Sequence, residues 1–152
     1  MRRTIFITTL IAGTLDILAA FIRSYLTNGV MPSAVLTYIA SGLFGAKAFD
    51  SGAEMLIAGL AVHYAIAFSC TVCFFGMYPQ WSLLRKSIFL NSLLIALIAW
   101  LVTTQVIIPL SRATGGGFDF LAALVAIGIL IICVGLPIAY AAKQYFNRKE
   151  RR

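Results

Sequence analysis

Charge is what this sequence has least of. Only 11% of its 152 residues are Asp, Glu, Lys or Arg, against about 25% in an ordinary soluble domain. Hydrophobic residues make up 61% and the mean hydropathy is +0.96, so the chain lacks the polar surface that would keep it in water. Histidine occurs once, at His63, and cysteine three times. Cys70, Cys73 and Cys133 all sit inside apolar runs, which excludes an extracellular disulfide framework. Cys70 and Cys73 form a CxxC on one helix face. A redox pair of that kind belongs near an oxidising surface and a metal site needs a fourth ligand, so small packing residues is the reading kept. No serine stands in a nucleophile elbow or at a telling distance from a base, and no P-loop or dinucleotide-binding glycine pattern occurs. The expectation is a chain that is not an enzyme and holds no cofactor and no metal.

What the sequence has instead is long apolar runs, enough for one domain with no separate soluble module. A bilayer core of about 30 Å takes roughly 20 apolar residues in a helix. Four segments meet that length: about 4–26, 53–75, 87–108 and 118–140. The first follows Met1-Arg2-Arg3 and has the look of a secretory signal, but its 18-residue apolar run carries Asp16 and no small-x-small site follows before Arg23; it is expected to be a retained helix. Between the first two lies 32–45, MPSAVLTYIASGLFG in context, with Pro32 suited to a first turn and Gly45 to an end. Val35, Leu36, Ile39 and Leu43 make an apolar stripe opposite Ser33, Thr37 and Ser41. At this length the helix is too short to span, so an amphipathic helix at the interface is expected. Pro109 ends the third span, the Gly115–Gly117 run reads as a plain turn before the fourth, and Pro137 marks a bend. The basic tail 143–152 is expected to be polar and mobile. The fold class is therefore all-α: an integral membrane four-helix bundle with a short interfacial helix between helices 1 and 2.

The net charge of +7 does not point to nucleic acid, because the basic residues gather at the ends of apolar runs and not on one helix face or an aromatic-studded sheet. With the spans above, Arg2, Arg3, Arg85, Lys86 and the five cations of the tail fall on one side, leaving Arg23, Lys47 and Arg112 on the other. That asymmetry places both termini in the cytoplasm, facing anionic lipid headgroups.

Several short pieces, GTLD at 13–16, SGLFGAKAF at 41–49, GLAVHYAIAF at 59–68, IPLSR at 108–112 and GLPIA at 135–139, resemble an uncharacterised family of small bacterial inner-membrane proteins with four helices. The resemblance implies a four-helix inner-membrane fold and names no activity.

Two groups of polar residues are candidate sites. Asp16 shares a helix face with Ala12, Gly13, Ala19 and Ala20, and Arg23 is two turns along it. His63 shares its face with Gly59, Ala67 and Cys70, small side chains that let another backbone approach. An ionisable group in the middle of an apolar run should face other helices. Asp16 and His63 could relay a proton or hold a cation, or fix packing through an interhelical hydrogen bond; Arg23 could reach back to Asp16 or extend outward. The second group, Lys47, Asp50, Glu54, Arg112 and Asp119, falls on the outer face, either as a polar-ligand cluster or as ordinary solvation. The function expected is a structural or accessory membrane component, as a homo-oligomer or in a larger complex; the alternative is a small proton- or cation-linked transporter or channel.

Overall fold

The computed structural model describes residues 1–50, 52–104 and 120–151. Among these the chain is all helical, with no strand. There are five helices: α1 Arg2–Asn28, α2 Pro32–Phe44, α3 Ala53–Met77, α4 Ile88–Val102 and α5 Phe120–Glu150. Three of them, α1, α3 and α5, are long and apolar enough to cross a membrane. The parts of the expected third and fourth spans at 105–108 and 118–119 lie outside the described residues, as do Pro109, Gln105 and the Gly115–Gly117 run.

Local chemistry sets the helix ends. Pro32 opens α2 behind an extended Met31, where its missing N–H costs nothing. Gly45 closes α2 with φ 62°, and Gly29 follows α1 with φ 65°, both in the left-handed region that only glycine enters freely. Ser87 caps α4 by accepting the Leu90 N–H at 3.3 Å.

Helix α5 departs from expectation. The helix runs through Pro137 and on to Glu150, so most of the tail at 143–152 is ordered helix. A π-helical segment, Ile131–Gly135, immediately precedes the proline. Its wider turn loosens the hydrogen-bond ladder where Pro137 has no N–H to give. Packing then holds the polar end in place. Phe146 stacks on Tyr78 with centroids 5.2 Å apart and planes at 19°, and Tyr145 and Phe146 both lie against Phe75 at 6.2 and 6.3 Å. Arg85 and Glu150 close the same end with a 2.7 Å ion pair.

The helices do not pack in chain order. α1 and α5 lie side by side; α3 packs on α1, α2 on α3, and α4 on α5. α3 and α4, consecutive in the chain, meet only marginally, and an apolar cleft of about 580 Å³ separates them, lined by Ile66, Cys70, Cys73, Leu94 and Ile98 among others.

Close contacts are made through small residues. A Cβ on Gly59 would strike the Leu36 carbonyl oxygen and lie 2.8 Å from its carbon; one on Gly135 would strike the Ser92 oxygen and lie 2.8 Å from its Cα. Backbone therefore meets backbone where α2 crosses α3 and where α4 crosses α5. The expected stripe on α2 is corrected by this closeness: Ser41 is fully buried beside Ala40, whereas Leu43 is 71% exposed. Only small side chains fit under a helix held that near, and Ser41 satisfies its hydroxyl by donating to Tyr38 O at 2.7 Å. Elsewhere too, small side chains are buried at helix contacts while many large ones face outward. Thr8, Ala12, Ala67, Thr71, Ser92 and Ala139 are buried, while Phe6, Leu18, Ile57, Phe68, Phe89 and Leu121 are exposed.

Candidate functional site

The α1–α3 contact is built around Gly13. A Cβ there would meet the Tyr64 ring at 2.8 Å, so the absent side chain is what lets the aromatic ring lie across α1. Two hydrogen bonds lock the crossing. His63 Nε2 lies 2.8 Å from the Gly13 carbonyl oxygen. A carbonyl can only accept, so Nε2 carries the proton and donates. One residue on, Thr14 Oγ1 and Tyr64 Oη are 2.7 Å apart. The His63 and Tyr64 rings meet edge to face at 5.6 Å and 76°.

Asp16, one turn beyond Gly13, lines the same cavity as His63 and Arg23. The space is about 380 Å³ and draws on all five helices, with Tyr38 from α2, Trp100 from α4 and Ala126 from α5 also on its wall. That volume falls in the range of roughly 300–1,000 Å³ typical of small-molecule sites. The three sequence candidates thus share a cavity without pairing. Among the described residues the one ion pair is Arg85–Glu150, so neither His63 nor Arg23 neutralises Asp16 by direct contact. Arg23 turns away: its Nη2 donates to the Ala122 carbonyl at 2.8 Å, tying the end of α1 to the start of α5. His63 is committed to Gly13.

Sequence reasoning missed Thr14, Tyr64, Tyr38 and Trp100. Thr14 and Tyr64 adjoin residues already singled out, but only the register of α1 on α3 shows that they meet. Tyr38 and Trp100 carried no signal, because nothing local says which helix faces a cavity.

Three of the five residues of the second candidate group are described. Lys47 and Asp50 are exposed on and just after a 3-10 turn, Gly45–Phe49, and Glu54 is exposed in the first turn of α3, its Oε1 accepting the Gly52 N–H at 3.1 Å. Arg112 and Asp119 lie outside the described residues. The three cysteines are free thiols, and the described residues contain no group of three or more His, Cys, Asp or Glu side chains placed to hold a metal ion.

No family model, curated protein or solved structure matches the chain. The site therefore has to be interpreted from its own chemistry.

Proposed function

We propose that this chain is an integral protein of the bacterial inner membrane, crossing it four times with both termini in the cytoplasm, and that it acts as a structural or accessory component of an oligomer or a larger membrane complex. The observation that carries this reading is the large apolar surface of the long helices. Phe6, Leu18, Ile57, Phe68 and Leu121 point outward, and although Phe75, Ile95 and Ile138 are buried in a core, the closest helix crossings are made through Gly, Ala, Ser and Thr. In water such a surface would aggregate; in lipid, close packing of small residues and hydrogen bonds is what joins helices. The grouping of Arg2, Arg3, Arg85, Lys86 and the cations of the tail supports the orientation, and the quoted motifs support membership of the small four-helix inner-membrane family they resemble. Few polar groups occur within the apolar helices, and the connections at 29–31 and 78–87 are short, which leaves little apparatus for an enzyme.

A second reading, a proton- or cation-linked conduit, is favoured by one observation: the Asp16 carboxylate makes no ion pair or hydrogen bond with a described residue and opens on the shared cavity. Purified protein in liposomes separates the two. A scaffold gives no proton or cation flux and is recovered with a stoichiometric partner, or as a defined oligomer, from native membranes in mild detergent. A conduit gives a flux that Asp16→Asn abolishes while the helical content is kept.

A further inference from the structure

A groove of about 690 Å³ runs between the first turns of α1 and the last turns of α5. Its two walls carry the same gradient. On α1 it begins at Arg3 and Thr4 and continues to Ile7 and Ile11; on α5 it begins at Lys149 and Arg148 and continues to Ala141 and Tyr140. From Arg3 to Ile11 is eight residues, about 12 Å of helix. The groove therefore has a cationic mouth and a mainly apolar floor along one axis, with Thr8, Gln144 and Tyr145 set among its apolar side chains, and the antiparallel pairing of α1 with α5 puts both mouths at the same end.

Among the described residues the mouth is uncompensated. Three cations line it, and no described carboxylate does. The neighbouring acid, Glu150, is taken by Arg85 on the far side of α5. Gln144 donates to Tyr140 Oη at 3.0 Å, which leaves the Tyr140 hydroxyl free to donate into the groove midway between the two zones. Three like charges lining one cleft call for an anion, and the apolar side chains below them, spread over about 6 Å of α1 from Ile7 to Ile11, call for a hydrocarbon chain on that anion.

We infer that this groove is a binding site for one anionic phospholipid, its phosphate held by Arg3, Arg148 and Lys149 and an acyl chain lying along Ile7, Ile11 and Ala141. The inference rests on the membrane reading above and adds a specific lipid site to it. Inorganic phosphate shares the headgroup chemistry but has nothing to place on the apolar floor.

The test uses the full chain, purified in mild detergent after reconstitution with either phosphatidylcholine alone or a mixture containing phosphatidylglycerol, with bound lipid counted by native mass spectrometry. The expected result is one retained phosphatidylglycerol per chain, no retained phosphatidylcholine, and no displacement by excess inorganic phosphate. Combining Arg3→Gln, Arg148→Gln and Lys149→Gln should weaken retention on the order of a hundredfold, while Lys86→Gln, outside the groove, should leave it unchanged. If the triple variant does not fold, Arg3→Gln alone should weaken retention about fivefold. Equal retention by the groove variants and the unaltered chain, equal loss in the Lys86 control, or displacement by phosphate overturns the inference. Recovery of the protein in the aqueous fraction of detergent-free lysates overturns the membrane reading as well; a membrane-bound protein without lipid preference overturns the groove alone.

Discussion

The two ends of α3 hold the protein together by opposite means. At its C-terminal end, Phe74, Phe75 and Tyr78 meet Tyr145 and Phe146, and large rings fill the space. Over its first half, Gly59, His63 and Tyr64 meet the backbones of α2 and α1 with almost no side-chain volume between them. One end is stabilised by bulk and the other by closeness, so the same kind of substitution should act oppositely at the two. Shrinking a side chain should harm the aromatic end, and enlarging one should harm the close crossings.

Phe75→Ala is expected to have the largest effect. Phe75 is 1% exposed, and removing a buried phenyl costs about 3–5 kcal/mol. A melt followed by circular dichroism in detergent should record a lower midpoint, with the end of α5 released to proteolysis. Gly59→Val comes next. It forces a branched side chain against the Leu36 backbone, and overpacking of this kind costs about 1–3 kcal/mol; Gly59→Ala should be milder but still destabilising. His63→Ala removes one interhelical hydrogen bond and should cost about 1 kcal/mol, read in the same melt. Asp16→Asn should change stability by no more than about 0.5 kcal/mol, because no hydrogen bond or ion pair among the described residues is lost. A large loss there would mean that the carboxylate has a structural partner. Arg85→Gln should do as little, since the pair with Glu150 is exposed on both sides and such pairs fall at the low end of about 0–1 kcal/mol.

The half of the molecule built on closeness was largely legible in the sequence. Pro32 and Gly45 announced helix ends, and Gly59 and Ala67 beside His63 announced a face that a neighbouring helix could approach. The partner could not be read, because the register of α1 on α3 depends on contacts 50 residues apart in sequence, such as Gly13 with His63. The aromatic end was illegible for a different reason. KQYFNRKE is polar and follows a proline, so its composition argues for a loose tail. Its helix is secured by two aromatic residues docking on a distant part of α3. The burial of Ser41 was likewise hidden, because hydropathy assigns a serine outward while the geometry of a close crossing selects it for size. The cavity shared by Asp16, Arg23 and His63 lies between these cases: each residue was singled out individually, yet Arg23 bonds to Ala122 and not to Asp16.

The unbroken passage of α5 through Pro137 makes it a measuring rod. Its 31 residues amount to about 46 Å at 1.5 Å each, some 16 Å more than the oily layer of a bilayer is thick. The surplus is carried stiffly, so Arg148 and Lys149 would stand at a height set by helix pitch and not by chance excursions of a loose strand. Deleting one residue between Gly135 and Tyr145 would swing that whole terminus around by about 100°, turning its cations to a new compass bearing without altering their number.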